Sequence, residues 1–545
     1  MTELLTGAQM RSLEQAAIGS GAVTGLDLME RAGQGVLDAV LDLWPQLADG
    51  AHRASVLCGP GNNGGDGFVI ARLLQDRGWD IRLHLWGHPA KLPPDARVNH
   101  DRWCARNAVL PLNADTLFGD DRPDLIVDAI FGIGLSRPLP ADLAAALQTA
   151  AHLGADGARI VAVDCPSGLD LDRGRLPQGQ GQAQDDDAAP YAADLTVTFH
   201  APKLGHYLAM GPALCGHLAV ADIGLGAFDT PPAMLGLPHN PARVRLVDPS
   251  GLNIPQAGMR WPGSVMGKPS FGGHKYDHGH VVVFSGGVGR GGAGRLAARA
   301  ALRSGAGLVT VLCPPAALIE NASHLDAIML RALAKGQALA EVADARVTAF
   351  CMGPGMGVTE LTRQRVLEVL GRRAKDAAAR DPAVVLDADA LSCFADDPDG
   401  LFRHLHPRCI LTPHEGEFAR LFPDLGAARR GALSKVDAVR QAAARAGCVL
   451  LLKGPDTVMA TPQGAASLHA AVYDREVPWL ATAGAGDVLA GLIAGLAASR
   501  HSADLLTMAE VAAYLHAEAA RSFGPGLIAD DLPEQIPAVL RDLRL

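Results

Sequence analysis

The stretch Gly59-Pro60-Gly61-Asn62-Asn63-Gly64-Gly65-Asp66-Gly67 joins an apolar run at residues 54–58 to a helical pattern at residues 66–77. The apolar run predicts a buried strand. The glycines allow backbone N–H groups to approach an oxyanion at the start of the following helix. A further strand is predicted at residues 80–86. Strand, glycine loop, helix and strand in this order indicate an α/β fold with a parallel, doubly wound sheet.

A second glycine-rich stretch, Ala483-Gly484-Ala485-Gly486-Asp487-Val488-Leu489-Ala490-Gly491, stands about four hundred residues further along the chain. It also precedes an amphipathic helix and also carries an Asp beside the glycines. A helix N-terminus adds partial positive charge to the free N–H groups of such a turn. The two stretches together predict two active centres for phosphate-bearing small molecules on one polypeptide.

Length and composition limit the class of protein. A chain of 545 residues exceeds one compact core, so at least two domains are expected. The net charge of −10 argues against general binding of nucleic acid or of an anionic membrane. The longest apolar stretches, such as residues 488–498, are too short to span a bilayer. The nine scattered cysteines form no CxxC pair, so we expect a soluble, cytoplasmic protein with reduced thiols.

The pattern of apolar runs divides the chain into two α/β series. A segment rich in Pro and Gly between about residues 223 and 280 places the boundary near residue 230, which gives domains 1–228 and 229–545. Further strands are predicted in the first domain at 125–128, 159–164 and 195–199, and in the second at 280–285, 308–313, 347–352, 383–386, 409–411 and 449–452. Helices of the second domain are predicted at 293–305, 487–499 and 508–522.

The first glycine loop matches the GxGxxG pattern of dinucleotide-binding folds. That pattern also needs an acidic residue at the end of the next strand, where it binds the ribose. Here the strand ends Leu83-His84-Leu85-Trp86-Gly87, with no acid. The sequence therefore disfavours an ordinary NAD-dependent dehydrogenase. The Asn and Asp oxygens of the loop suit a hard cation or a polar ligand instead.

Three more motifs with polar side chains follow strand ends in the first half. They are Asp128-Ala129-Ile130-Phe131-Gly132-Ile133-Gly134-Leu135-Ser136-Arg137-Pro138, Val163-Asp164-Cys165-Pro166-Ser167-Gly168-Leu169-Asp170 and Thr198-Phe199-His200-Ala201-Pro202-Lys203-Leu204-Gly205. With the first glycine loop, in this order and spacing, residues 5–225 resemble the NAD(P)H-hydrate epimerase family. The resemblance implies a Rossmann-like three-layer fold. It also implies interconversion of the R and S forms of NADH or NADPH hydrated at C6 of the nicotinamide ring.

The resemblance also implies roles for particular residues. Its implied substrate contacts are Asn62, Asn63, Gly64, Gly65, Asp66, Gly132, Ile133, Gly134, Leu135, Ser136, Arg137, Pro138 and Asp164. Its implied potassium ligands are Asn63, Asp128 and Ser167. Epimerisation requires proton transfer while C6 becomes planar, and we assign Asp164 and Lys203 to it as a hypothesis. Taken singly, Asp164 also fits a turn cap and Lys203 a surface lysine.

The second half begins with another GxGxxG match, Gly287-Val288-Gly289-Arg290-Gly291-Gly292, again without an acid at the end of the next strand. A GxxxxGK[ST] phosphate loop is absent from the sequence. The turn Gly484-Ala485-Gly486-Asp487 is the stronger signal, because its amides would form an anion hole for a phosphoryl group. Asp487 is placed to accept a proton from a hydroxyl that attacks the phosphoryl group. This arrangement resembles the ribokinase-like α/β fold.

Three further motifs narrow the resemblance. Met352-Gly353-Pro354-Gly355-Met356-Gly357, Leu411-Thr412-Pro413-His414-Glu415-Gly416-Glu417-Phe418 and Leu452-Lys453-Gly454-Pro455-Asp456-Thr457 stand in the order seen in ADP- or ATP-dependent NAD(P)H-hydrate dehydratases, over about residues 240–540. The family often has Thr or Ser where this chain has Ala485, so one possible hydroxyl contact is missing.

The second resemblance implies that the hydrated dinucleotide is contacted by Ala293, Gly355, His414 and Asp487. It implies that the nucleotide is contacted by Lys453, Gly454, Pro455, Asp456, Thr457 and Gly486. The implied reaction phosphorylates the C6 hydroxyl from ADP or ATP, with Mg²⁺ as the phosphate counter-ion, and then loses phosphate. Taken singly, His414 also fits a helix cap and Lys453 a surface residue.

Both halves therefore point to one bifunctional nicotinamide-nucleotide repair activity, with NADHX or NADPHX and an adenine nucleotide as small-molecule partners. Relatives of both halves self-associate, so we expect a homo-oligomer. Two alternatives stay open at this point. The second half fits equally a kinase of a small hydroxylated metabolite, and the first half fits a non-catalytic ligand-sensing module. The sequence does not decide between ADP and ATP.

Overall fold

The computed structural model describes residues 2–117, 122–135, 137–177, 191–229, 243–248, 274–343, 346–373, 381–426, 432–499 and 504–543. The chain divides into two compact units, Glu3–Asn240 and Pro241–Leu545, the latter joined by Met1–Thr2. The predicted boundary after residue 228 lies just before residues 230–242, which are outside the described part of the chain.

The N-terminal unit alternates strands and helices. In chain order these are β1 (Glu3–Leu4), α1 (Gly7–Gly19), α2 (Gly25–Leu43), β2 (Arg53–Cys58), α3 (Asn62–Asp76), β3 (Asp80–Leu85), α4 (Pro94–Cys104), β4 (Leu110–Pro111), α5 (Ala114–Leu117), β5 (Leu125–Ala129), α6 (Ala141–Ala155), β6 (Arg159–Val163), β7 (Leu195–Phe199), α7 (Gly211–Cys215) and β8 (His217–Ala221).

The sheet of this unit is parallel throughout and has the order β4-β3-β2-β5-β6-β7-β8. Helices α2 and α3 pack on one face and α5 and α6 on the other, so the central strands are buried on both sides. The chain runs outward from β2 in one direction through β3 and β4, and in the other from β5 to β8. Loops after β2 and β5 therefore diverge at a switch point, where doubly wound sheets bind ligands.

The C-terminal unit has the same alternation. Its elements are β9 (Val244–Leu246), β10 (His280–Phe284), α8 (Gly292–Arg303), β11 (Leu308–Cys313), α9 (Leu318–Ala322), β12 (Met329–Ala332), α10 (Leu339–Val342), β13 (Ala349–Met352), α11 (Glu360–Leu370), β14 (Ala383–Leu386), α12 (Asp389–Ser392), α13 (Pro398–Phe402), β15 (Cys409–Leu411), α14 (Glu415–Leu421), α15 (Lys435–Ala446), β16 (Val449–Leu452), β17 (Asp456–Ala460), β18 (Ala466–Ala470), α16 (Ala485–Ala498), α17 (Leu505–Phe523) and α18 (Asp531–Asp542).

Its sheet runs β9-β18-β17-β16-β15-β14-β13-β10-β11-β12, parallel from β16 to β12, with an antiparallel hairpin formed by β17 and β18. Helices α8, α16 and α17 pack on one face around a core rich in Ala, Val and Leu. Helix α16 approaches α8 closely because Gly491 and Gly495 face the backbone of Ala297 and Ala301, where a Cβ atom would clash.

These elements confirm the predicted α/β class and the parallel sheets. The predicted start of one helix was wrong. Helix α3 begins at Asn62 and not at residue 66, because the Asn-Asn-Gly-Gly segment forms its first turn. Asp456 and Thr457 belong to strand β17, in a hairpin that the sequence pattern did not reveal. Within the described residues, the helices include none that is long and apolar enough to cross a membrane.

Candidate active sites

The first glycine loop lies at the switch point of the N-terminal sheet, between the ends of β2 and β5. Gly59 N donates to Ala129 O at 3.0 Å, and a Cβ atom on Gly59 would clash with the carbonyl of Ile130. The first intrahelical bond of α3 runs from Gly65 N to Gly61 O, so the preceding N–H groups point out of the helix N-terminus. Close packing holds the loop in a shape that presents these N–H groups to a ligand.

Asp164 and Lys203 form a buried ion pair at the same sheet edge. Lys203 Nζ donates to Asp164 Oδ1 at 3.0 Å, and the two residues are only 1% and 6% exposed, Lys203 being the more buried. Thr198 Oγ1 donates to Asp164 Oδ1 at 2.8 Å and accepts from Lys203 Nζ at 2.6 Å. The alternative that Lys203 is a surface lysine is therefore wrong.

The Asp164 backbone is held in the left-handed region, with φ at 65°. A ring nitrogen of His206 lies 2.9 Å from Asp164 O, and Ile133 N donates to Asp164 Oδ2 at 3.1 Å. Such a conformation is uncommon outside glycine and concentrates at functional sites. The strain and these bonds aim the carboxylate at the loop that begins with Gly132.

Neighbouring carboxyl groups at this edge have pKa values that shift in opposite directions. Burial alone would raise the pKa of Asp164, but the charge of Lys203, the ring of His206 and hydrogen bonds bring it below its usual value. Burial raises the pKa of Asp66 well above its usual value, and the carboxylates of Asp164 and Glu14 add to this rise. Two carboxyl groups whose pKa values shift apart in one site are typical of a base and an acid with separate roles.

The proposed substrate loop borders the Asp164 carboxylate. A Cβ atom on Gly132 would lie 2.9 Å from Asp164 Oδ2 and 3.2 Å from Asn63 Oδ1, so this glycine keeps the space over both groups open. Gly134, Arg137 and Pro138 are exposed, as is Asn62, while Ile133 and Leu135 are half-buried. Ser136 lies outside the described residues.

Asp128 and Ser167 are joined directly, whereas Asn63 bonds elsewhere. Ser167 Oγ donates to Asp128 Oδ1 at 2.7 Å, and Ser167 N donates to Asp128 Oδ2 at 2.7 Å. The hydroxyl of Tyr191 also bonds this carboxylate. Asn63 Nδ2 donates to Val163 O at 3.2 Å. Burial raises the pKa of Asp128, and hydrogen bonds oppose that rise.

In the C-terminal unit, the Gly484–Asp487 turn forms the start of helix α16. Gly484 has φ at 93°, and a Cβ atom there would lie 2.9 Å from both Ala529 and Leu296. The first backbone bond after the turn is Val488 N to Gly484 O at 3.2 Å, so the N–H groups of Gly486 and Asp487 point out of the helix. Burial raises the pKa of Asp487 to about 6, and the carboxylate of Asp387 adds to the rise.

Asp387 is a candidate site residue that none of the sequence motifs includes. It follows strand β14 and is 1% exposed. Lys453 Nζ donates to its Oδ1 at 2.5 Å, and Thr412 Oγ1 donates to the same oxygen at 2.9 Å. The next residue, Ala388, has φ at 46°. An Asp at a strand end was the signal that found Asp128 and Asp164, and it would have found Asp387.

A cavity of about 600 Å³ opens beside this ion pair. Five of the six residues expected to contact the nucleotide line it, namely Lys453, Gly454, Pro455, Thr457 and Gly486. The side chain of Asp456 is engaged elsewhere, because Lys435 Nζ donates to its Oδ1 at 2.6 Å. Lys453 is 18% exposed and paired, so it is not a freely solvated surface residue.

The remaining expected contacts of the hydrated dinucleotide lie in α8, in the turn after β13 and at the N-cap of α14. Ala293 on α8 faces Gly355, whose Cβ position is 3.5 Å from that of Ala293. His414 is an exposed helix cap, because Gly416 N donates to its Nδ1 at 3.0 Å and Glu417 accepts from its backbone N–H at 2.9 Å. The capping alternative for His414 therefore describes its present contacts, and its exposed ring stays open to solvent.

Comparison with known proteins follows the same division of the chain. A family model described as YjeF-related protein N-terminus matches residues 25–205, and one described as NAD(P)H-hydrate dehydratase matches residues 281–537. An NAD(P)H-hydrate epimerase of Roseobacter litoralis is 49% identical over 239 residues, which cover 41% of this chain and all of that relative.

Relatives also span both halves. A bifunctional NAD(P)H-hydrate repair enzyme of Moorella thermoacetica is 34% identical over 568 residues, with 99% of this chain and 97% of that relative covered. The solved ADP/ATP-dependent NAD(P)H-hydrate dehydratase of Bacillus subtilis, co-crystallised with ATP and Mg²⁺, is 25% identical. It has a TM-score of 0.43 and covers 55% of this chain and 99% of that chain.

Two α/β units, each with charged side chains and a glycine turn at the ligand edge of its sheet, define a two-site enzyme of small-molecule metabolism. The Moorella relative matches nearly the whole chain, and this match identifies the particular family. The chain belongs to the family of bifunctional NAD(P)H-hydrate repair enzymes.

Proposed function

We propose that the N-terminal unit epimerises hydrated NADH and NADPH, and that the C-terminal unit dehydrates the S form at the expense of ADP or ATP. The observation that carries the first activity is the buried Asp164–Lys203 pair beside the open space at Gly132. The observation that carries the second is Asp487, with its raised pKa, at the start of α16 beside the cavity that Lys453 lines.

In the epimerase step, ionised Asp164 takes the proton of the C6 hydroxyl. The C6–N1 bond then breaks, its electron pair goes to N1, and C6 becomes a planar carbonyl carbon. The Lys203 ammonium balances the charge, and we assign Asp66, whose pKa is raised by burial, as the acid that supplies a proton to the leaving nitrogen. N1 then attacks the opposite face of C6, and the protons return. Three side chains held at one sheet edge thus suffice for proton transfer in both directions.

We further propose that Asp128, Ser167 and Asn63 hold a potassium ion in the epimerase unit. Their oxygens are hard donors, and within the described residues Asp128 takes part in no ion pair although it is buried. A bound monovalent cation would neutralise that carboxylate and stiffen the loops that follow β5 and β6. Asn63 bonds Val163 O through Nδ2, so its Oδ1 is the atom that would join the other two ligands.

In the dehydratase step, Asp487 accepts the proton of the C6 hydroxyl as its oxygen attacks the terminal phosphoryl group of ADP or ATP. The bond to AMP or ADP breaks, and the N–H groups of Gly486 and Asp487 stabilise the charge that develops on the phosphoryl oxygens. The N1 lone pair then expels phosphate from C6. Loss of a proton from C5 restores the dihydropyridine ring.

The nucleotide lies in the cavity, with its phosphates towards Lys453 and Gly486. We propose Mg²⁺ as their counter-ion, because Mg²⁺ usually binds through substrate phosphates and only one or two carboxylates. Asp487 and Asp389 are two carboxyl groups near this end of the cavity, and Lys453 donates to Asp387 and not to them. When bound, the ion would neutralise phosphate charge and orient the terminal phosphoryl group.

Reaction products test the dehydratase against the remaining alternative, a small-metabolite kinase. We expect the purified S hydrate and ADP to give one orthophosphate and one AMP for each dihydronicotinamide restored, measured by phosphorus NMR and absorbance. A stable phosphorylated product without orthophosphate would support the kinase instead. Asp487→Asn serves as the matched control, because it keeps the turn but lacks the base.

The proposed function also includes the location and the assembly of the protein. All nine cysteines are free and eight are buried, which fits a reducing compartment such as the cytoplasm. We also propose a homo-oligomer that binds neither nucleic acid nor membrane, on the basis of the net charge of −10 and of the self-association expected from the resemblance. Sedimentation velocity of the whole chain tests the oligomer.

A further inference from the structure

The cavity beside Lys453 has two chemically different ends. At one end are Lys453 and the N–H group of Gly486, which suit phosphate. The rest of the lining is mostly apolar and includes Val472, Leu480 and Leu489. A nucleotide has the same division between a charged diphosphate and a flat aromatic base. The apolar part is therefore the place for the base, and this step rests on the nucleotide site proposed above.

Two imidazole rings interrupt that apolar lining. His469 on β18 and His516 on α17 both line the cavity, and they are 6% and 7% exposed. The Nε2 atom of each ring is buried and has no hydrogen-bond partner. Buried polar atoms normally have partners, since an unsatisfied one destabilises the folded protein. Two such atoms lining one cavity indicate a ligand that satisfies them.

The protonation of His516 follows from its contacts. It hydrogen-bonds the backbone of Ala485, whose N–H already donates to Thr482 O at 3.4 Å, so the Ala485 carbonyl is its partner. A carbonyl only accepts, and Nε2 is without a partner, so Nδ1–H is the donor. Burial lowers the pKa of His516 to about 4 and that of His469 to about 3, so both rings are neutral near pH 7. His516 Nε2 is thus a hydrogen-bond acceptor.

We propose that His516 Nε2 accepts a hydrogen bond from the exocyclic amino group of an adenine base. His469 Nε2–H donates a hydrogen bond to the neighbouring ring nitrogen, which is an acceptor. An adenine presents an amino donor beside a ring acceptor on one edge. A 6-oxo purine presents a carbonyl acceptor at the place of the amino group, and it would meet the lone pair of His516. The two imidazoles therefore make this cavity selective for adenine over 6-oxo purines.

The test compares ADP with inosine diphosphate, which differ at the 6-position of the base and share the diphosphate. We expect the wild-type chain to bind ADP at least tenfold more tightly by calorimetry. In His516→Phe that ratio falls close to one, and His516→Gln recovers part of it through its amide oxygen. His469→Phe weakens ADP binding about tenfold. Loss of the Ala485 contact affects the binding of both nucleotides equally. The ratio of the two affinities therefore reports only the hydrogen bonds to the base.

His406→Phe is the matched control. His406 is also a buried imidazole with an unpartnered Nε2, but it precedes β15 and does not line the cavity. The His406→Phe variant should prefer ADP over inosine diphosphate to the same extent as the wild type. Equal binding of the two nucleotides by a wild-type chain that still dehydrates the hydrate would overturn this inference alone, as would an unchanged ratio in both cavity variants. Failure of the wild type to bind either nucleotide would overturn the proposed function with it.

Discussion

Lys203 is almost fully buried, and a buried ammonium group is stable only where a counter-charge and hydrogen-bond acceptors meet it. Asp164, Thr198 and the carbonyl of Phe199 provide these. Removing one partner of such a pair leaves an uncompensated charge, at a cost of about 3–5 kcal/mol. The pair is therefore both a structural element of the sheet edge and the source of the ionised carboxylate that the epimerase step needs.

Asp164→Asn tests the chemical part of this account. The amide keeps the shape of the side chain but cannot take a proton, so we expect the epimerase rate to fall by about 10²–10⁴-fold. The dehydratase rate on the S hydrate should stay unchanged. The rates are measured by chiral separation of the two hydrates and by absorbance. Asp124→Asn, at the opposite edge of the same sheet, should leave both rates unchanged, and a wild-type epimerase rate in Asp164→Asn would contradict the assignment.

The pKa of Asp487 predicts a pH dependence for the dehydratase. Its folded-state value is raised from 3.8 to about 6, so the group is protonated, and unable to accept the hydroxyl proton, below about pH 6. We expect kcat/KM for the hydrate to fall about tenfold per pH unit below that value and to level off above it. In Asp387→Asn a neighbouring negative charge is lost, so the pKa of Asp487 falls. The decrease in kcat/KM then begins at a lower pH. A wild-type profile that is flat down to pH 5 would contradict the role of Asp487.

The potassium proposal predicts a specific stabilisation. A cation that binds only the folded unit raises the unfolding temperature in proportion to the logarithm of its concentration above the Kd. We expect KCl to stabilise the N-terminal unit more than LiCl at equal ionic strength, by calorimetry, and Asp128→Asn to abolish the difference. Asp124→Asn should keep it. Equal stabilisation by both salts in the wild type would argue against the site.

At the scale of elements, the sequence predicted what depends on short-range patterns. Five strands have the predicted bounds, among them Leu195–Phe199 and Leu308–Cys313, because each is an apolar run between polar turns. The β17–β18 hairpin was not predicted, because its two strands are short and begin and end with Asp or Ala, which have low β propensity. The start of α3 was not predicted, because Asn and Gly are weak helix formers. The first turn of this helix is fixed by packing against β2 and β5.

The sites were predictable only in part for a related reason. Polar residues at strand ends identified Asp128 and Asp164, since parallel strands bring their ends together. Pairing is a tertiary property, so the sequence could not show that Asp387 holds Lys453 or that Lys435 holds Asp456. Nor could it show that His469 and His516, on different elements, line one cavity.

The turn before α16 gives a prediction at this scale. Gly484→Ala places a side chain at φ 93° and within 2.9 Å of Ala529 and Leu296. The left-handed conformation alone costs about 1–2 kcal/mol for a residue with a side chain. We expect a dehydratase rate at least tenfold lower and a lowered unfolding temperature. Gly464→Ala has a similar φ of 91° but open space around it. Gly464→Ala should lower the stability but not the dehydratase rate. Equal losses of dehydratase rate in both variants would contradict an anion hole in the Gly484–Asp487 turn.

At the scale of the whole molecule, the chain forms two compact units, and each half is matched by a family model of its own. One epimerase relative of the N-terminal part matches over its entire length while covering 41% of this chain. We therefore predict that residues 3–240 fold alone and epimerise the hydrates at a rate within about threefold of the full chain, as measured by circular dichroism and chiral separation. Asp164→Asn in the same fragment is the inactive control. An unfolded fragment would contradict independent units.

The most direct test of the central claim is the recovery of dihydronicotinamide absorbance from a mixture of R and S NADH hydrates. The protein is supplied with Mg²⁺, K⁺ and either ADP or ATP. Two active sites on one chain predict complete recovery with one nucleotide consumed per NADH, and recovery limited to the initial S fraction in Asp164→Asn, apart from slow spontaneous epimerisation. A wild-type reaction that stops at the S fraction would contradict the epimerase, and no recovery with either nucleotide would contradict both activities.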